Sequence, residues 1–76
     1  MNGMQMLSIV EQYCRQNTST FEEITVTRIP ARKTIFVEQS GENGRAVMLS
    51  EYKVDEKTCW AGYSSGSQTV YISMED

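Results

Sequence analysis

The sequence predicts an α+β fold: an N-terminal helix packed on a five-stranded antiparallel meander, curled toward a small barrel or completed by dimerisation. Three observations lead there. Residues 4–16 repeat their apolar positions at spacings of three and four, the period of a helix. From Ile24 onward apolar and polar residues alternate one for one, the period of strands, between clusters of turn formers. Residues 34–54 hold two long alternating runs around Gly41-Glu42-Asn43-Gly44, where Asn-Gly is a strong hairpin signal.

In the helix, Leu7, Val10 and Cys14 fall on one stripe flanked by Met6 and Tyr13, with Gln5, Ser8, Gln12 and Arg15 between. The stripe is expected to be core. Asn17-Thr18-Ser19-Thr20 ends the helix, because these side chains compete for backbone hydrogen bonds. Residues 24–28 are strictly alternating and β-branched, hence a strand. Ile29-Pro30-Ala31-Arg32 is the next turn, with Pro30 suited to the second position of a type I turn.

In the central hairpin, a two-residue turn at Asn43-Gly44 pairs Gln39 with Met48, Val37 with Ser50 and Ile35 with Tyr52. A four-residue loop shifts these partners but keeps each residue on its face, since side-chain direction has period two. Asp55-Glu56 makes the next reversal, followed by a strand over 57–63, a loop over 64–67 and a last strand over 68–74.

With even loops at every reversal, one face collects Ile24, Val26, Ile35, Val37, Met48, Tyr52, Val54, Cys59, Ala61, Tyr63, Val70, Ile72 and Met74. This is the expected core face. The other carries threonines and charges but also Phe36, Val47, Leu49, Trp60 and Tyr71, with Thr25, Phe36, Glu51, Trp60 and Tyr71 forming one row. Five strands span roughly 20 Å and one helix about 10 Å, so the helix alone does not cover the core face. Curling into a barrel or pairing with a second copy would complete the cover.

At 76 residues the chain is one small domain of the kind that often needs a staple. It has no histidine, and Cys14 and Cys59 are far apart in sequence, so neither a structural metal nor a cofactor is expected. No basic start and no long apolar run follow Met1, which argues against a signal peptide or a membrane span. A cytoplasmic setting with reduced cysteines is the expectation. A net charge of −3 repels phosphate backbones, so nucleic-acid binding is disfavoured. Apolar content of 39% suffices for a folded core.

Catalytic residues are not expected. The commonest base is missing, and both thiols sit on core faces. Glu22/Glu23, Asp55/Glu56 and Glu75/Asp76 fall in turns or at the terminus, where solvated charge explains them. The glycine-bearing loops lead into no helix, so they lack the phosphate-cradling geometry. Arg28, Arg32 and Lys33 gather around Pro30 as a candidate anion patch. Phe36, Leu49, Glu51, Trp60 and Tyr71 make the candidate protein-contact surface, because Trp and Tyr dominate interface hot spots. The functional expectation is therefore a non-catalytic intracellular protein-interaction module, a small regulator or inhibitor of a larger protein, with a homodimer as a further option. Its size and acidity suit accessory proteins of phages or mobile elements. A small barrel binding single-stranded nucleic acid is the first alternative, and an enzyme the second.

Overall fold

In the computed structural model of the chain, residues 1–17, 20–30, 34–38 and 44–74 are described, Phe36 and Glu38 in their backbone alone. Helix α1 runs Gly3–Gln16. Asn2 starts it with a capping box: the Gln5 N–H donates to Asn2 Oδ1 at 2.8 Å, and the Asn2 N–H to Gln5 Oε1 at 2.9 Å. Asn17 stops it in the left-handed region at φ 55°, its N–H bonded to the Tyr13 carbonyl. The buried stripe is Met6, Ile9 and Val10, with Tyr13 and Cys14 half-buried beside it. Leu7, expected in the centre of that stripe, is 38% exposed. The helix is thus rotated toward Ile9.

Seven strands follow among the described residues: β1 Thr20–Phe21, β2 Ile24–Arg28, β3 Ile35–Glu38, β4 Arg45–Met48, β5 Ser50–Val54, β6 Lys57–Ser64 and β7 Thr69–Met74. Five of them form one sheet in the order β1-β2-β7-β6-β5, and β3 with β4 forms a separate pair. The fold is α+β, but the sheet is mixed and the expected antiparallel meander is corrected. β2 pairs with β7 in parallel, Val26 opposite Val70 and Thr27 opposite Tyr71. Ile29 extends that ladder, its N–H donating to the Ile72 carbonyl at 2.9 Å. Alternation reports which way a side chain points and is blind to strand direction, so nothing local distinguished the two pairings. Among the described residues β1 and β5 end the sheet without pairing to each other, which makes it open rather than a barrel.

The even turns hold. Val54 pairs with Lys57 across Asp55-Glu56, and Ser64 with Thr69 across a four-residue loop. Asp55 and Glu56 both take positive φ, 49° and 69°, as the tightest hairpin turns demand. Consequently Ile24, Val26, Tyr52, Val54, Cys59, Ala61, Tyr63, Val70, Ile72 and Met74 all lie in or against the cluster beneath α1.

The central hairpin is where the expectation fails. β3 and β4 pair Ile35 with Met48 and Val37 with Ala46, a four-residue shift from the two-residue turn at Asn43-Gly44, which lies largely outside the described residues. The long strand expected over 45–54 breaks at Leu49. There the chain crosses the face opposite α1, and the Leu49 N–H donates to the Thr34 carbonyl at 2.8 Å. Gly62 permits the crossing: a Cβ at this position would fall on the Met48 carbonyl oxygen and 2.8 Å from Val47 Cγ1. Because the hairpin folds onto the second face, its own second-face residue Val47 turns inward, 5% exposed. Ile35, Val37 and Met48, expected in the core, are instead 44%, 51% and 74% exposed.

Candidate contact surface

Trp60 sits on β6 with its side chain on the face away from α1. It is 9% exposed, in a second cluster with Ile29, Val47 and Leu49, and Tyr71 packs half-buried against them. Two of the expected contact residues, Trp60 and Leu49, are therefore enclosed by the chain's own hairpin. Tyr71 is not the lateral neighbour of Trp60: Trp60 lies opposite Ser73, and Tyr71 opposite Gly62. Tyr71 packs against the cluster that holds Trp60, while the space over Gly62 is taken by the Met48 carbonyl oxygen and the side chains of Val47 and Leu49. Glu51 pairs with Trp60 across β5 and β6 but is exposed, its Oε1 4.0 Å from Lys53 Nζ. Phe36 lies opposite Val47 in the β3–β4 pair, and its side chain lies outside the described residues.

Of the candidate anion patch, Arg28 is an exposed residue at the end of β2, opposite Ile72. Arg32 and Lys33 lie outside the described residues.

Among the described residues, large apolar side chains stand open to solvent on α1, at Met4 and Leu7, and on the outer face of the β3–β4 hairpin. Ile35 and Met48 are cross-strand partners, Val37 and Ala46 are the next pair on the same side, and all four are exposed. Such pairs place their Cβ atoms about 5 Å apart, so they form one continuous apolar patch. Three of the four, Ile35, Val37 and Met48, stand on the face that the sequence assigned to the core, and the fold leaves them outside it.

Two other places carry chemistry. Between the start of α1 and the β1–β2 turn lies a cleft of about 190 Å³ lined by Met1, Gln5, Ser8, Ile9, Phe21, Glu22 and Ile24. Its floor is apolar and its one ionisable side chain is Glu22. On the other side of α1, Cys14 Sγ lies 3.3 Å from Cys59 Sγ. Burial, then the hydrogen bond and charge interaction with Cys59, push the Cys14 thiol up to about 12. Beside it Arg15 grips Asp55 with two hydrogen bonds, Nε to Oδ2 at 2.8 Å and Nη2 to Oδ1 at 3.0 Å. This contact holds the Asp55 carboxyl below its ordinary value. Among the described residues, no three His, Cys, Asp or Glu side chains stand together as a metal site.

Comparison with protein-family models, curated proteins and solved structures finds no match to this chain. No helix among the described residues is long and apolar enough to cross a membrane.

Proposed function

We propose that this chain is a non-catalytic protein-interaction module acting inside the cell, a small regulator or inhibitor of a larger protein. The observation that carries the reading is the apolar outer face of the β3–β4 hairpin. Ile35, Val37 and Met48 are between 44% and 74% exposed, on a strand pair set apart from the main sheet. A folded monomer seldom leaves large apolar side chains clustered in water without a partner to cover them. The contact surface thus moves from Trp60, which the chain covers itself, to the face of the element that covers it. Tyr71 and Glu51 flank the covered cluster.

The same geometry weighs against single-stranded nucleic acid. Base stacking needs an open aromatic face, and the sole tryptophan is 9% exposed. The net charge of −3 adds repulsion.

The test replaces Val37 and Met48 by Glu, each on a position that is more than half exposed. Both variants are expected to melt with the parent protein and to lose the captured partner by about tenfold or more. Undiminished partner binding would defeat the reading, as would tight binding of an unstructured oligonucleotide that weakens steeply with salt. Light scattering of the parent and the Met48→Glu variant tells a foreign partner from a second copy.

A further inference from the structure

We propose that Cys14 and Cys59 form an oxidation site that closes to an intramolecular disulfide, tying α1 to β6. The two residues are 45 apart in sequence, yet the packing of α1 on the sheet brings their sulfurs to 3.3 Å. A disulfide bond is about 2.05 Å long, so closure needs roughly a further 1.2 Å of approach, within reach of small rotations about the two Cα–Cβ bonds. The pair is asymmetric. Cys59 is fully buried, whereas Cys14 is half-exposed at the rim of the core. An oxidant reaches Cys14 first and Cys59 waits behind it.

The chemistry balances with a small-molecule disulfide, RSSR, as the oxidant. Cys14 loses its proton and its thiolate attacks one sulfur of RSSR, giving a mixed disulfide and releasing RS⁻, which takes up a proton. Cys59 then loses its proton and attacks Cys14 Sγ, expelling the second RS⁻, which is protonated in turn. Two protein thiols give up two electrons and two protons, and RSSR becomes two RSH. The groups around the site set its pace. Burial and then Cys59 hold the Cys14 proton on, Lys57 opposes them, Asp55 adds a smaller push, and the neighbouring Arg15 is engaged by Asp55 and Glu11. The first step is therefore slow near neutrality and fast in alkali. Once formed, the bond closes a loop across more than half the chain, supplying a covalent staple to a domain with a small core. This inference stands apart from the contact surface, because neither cysteine touches the β3–β4 hairpin's outer face.

The experiment treats the purified full chain with oxidised glutathione and follows intact mass. The expected product has lost two hydrogens and carries no glutathione, and its digest contains a Cys14–Cys59 cross-linked peptide. It should melt about 10 °C or more above the reduced protein, and dithiothreitol should reverse the change. The rate should climb about tenfold per pH unit without levelling near the ordinary thiol value. In Cys59→Ser the reaction should stop at a glutathione adduct on Cys14, and in Cys14→Ser the native protein should not react. Persistent free thiols, an adduct on Cys14 that Cys59 never displaces, or a closed form that melts below the reduced one overturns the proposal.

Discussion

Ile72 is fully buried in β7, beneath α1, with Ala61 of β6 opposite it on one side and Arg28 of β2 on the other. Its truncation to Ala leaves a cavity that no neighbour can fill, and the expected loss is about 2–5 kcal/mol in urea unfolding. Met48 shares its sequence parity but is 74% exposed, so Met48→Ala should change stability by less than about 0.5 kcal/mol. The pair of measurements decides whether the hairpin's outer face is surface; equal losses would put Met48 back in the core. Glu56 offers the opposite sign. It holds φ 69° in the β5–β6 turn, a conformation that a side chain with a Cβ adopts at a penalty and glycine adopts freely. Glu56→Gly recreates the favoured Asp-Gly turn and should raise stability by about 0.5–1 kcal/mol. The sequence placed the reversal at Asp55-Glu56 correctly, because the polar break and the alternation on both sides are local signals. Which apolar residues of the right parity stay dry is not local, and Met48 is the residue where that difference shows.

Among the elements, α1 is fastened to the sheet by apolar packing and by two titrating contacts whose pH effects have opposite signs. Arg15 lowers the Asp55 pKa in the folded state, so this pair contributes stability above the ordinary carboxyl value of 3.8 and loses it as pH falls below. Asp55→Asn should flatten the acid limb of a stability–pH curve. Cys14 is raised from 9.0 to about 12, so its contribution is complete below pH 9.0 and drains away as pH climbs toward 12. Cys14→Ser should flatten the alkaline limb under reducing conditions. The β4–β5 break depends on a different residue. Gly62→Ala would drive a methyl group into the Met48 carbonyl and the Val47 side chain. The hairpin must then lift, at a loss of about 1–3 kcal/mol, and Trp60 fluorescence should shift to the red while far-ultraviolet dichroism changes little. An unshifted spectrum would mean that the second cluster does not rest on this crossing. The helix and the strands over 24–28, 57–64 and 69–74 were legible from period and composition. The break at Leu49 was not, since Met48-Leu49-Ser50 continues the alternation through the kink and only the glycine one sheet-layer away reveals it.

For the molecule as a whole, two clusters lie on the two faces of one sheet: α1 covers the first, and the β3–β4 hairpin covers the second around Trp60. Strand width against helix width led to the expectation of a barrel or a second copy over the α1 face; the cover the chain supplies, the β3–β4 hairpin, lies on the opposite face. The residue set of each main-sheet face was readable because every turn in that sheet keeps parity. The order of the strands was not, because β2 meets a strand more than 40 residues later and no nearby residue marks the meeting. Trp60→Ala should accordingly behave as a core truncation, with a loss of about 3–5 kcal/mol by chemical denaturation, instead of as a surface change that spares the fold.

The position of β7 between β2 and β6 has a consequence for the order of events during synthesis. When the chain emerges from a ribosome, α1, β1, β2, β5 and β6 all appear before the strand that unites them. Until residues 69–74 arrive, β2 and β6 both lack the strand that pairs with them, and each presents an unsatisfied edge. A nascent or truncated chain ending before Thr69 would be a template for wrong partners, and holding chaperones would bind it there. The high sequence separation of the β2–β7 contact also predicts folding in milliseconds or slower despite the short chain. Supplying the missing strand as a separate peptide to such a truncated chain should restore the fold in trans, and circular dichroism of the mixture would reveal it.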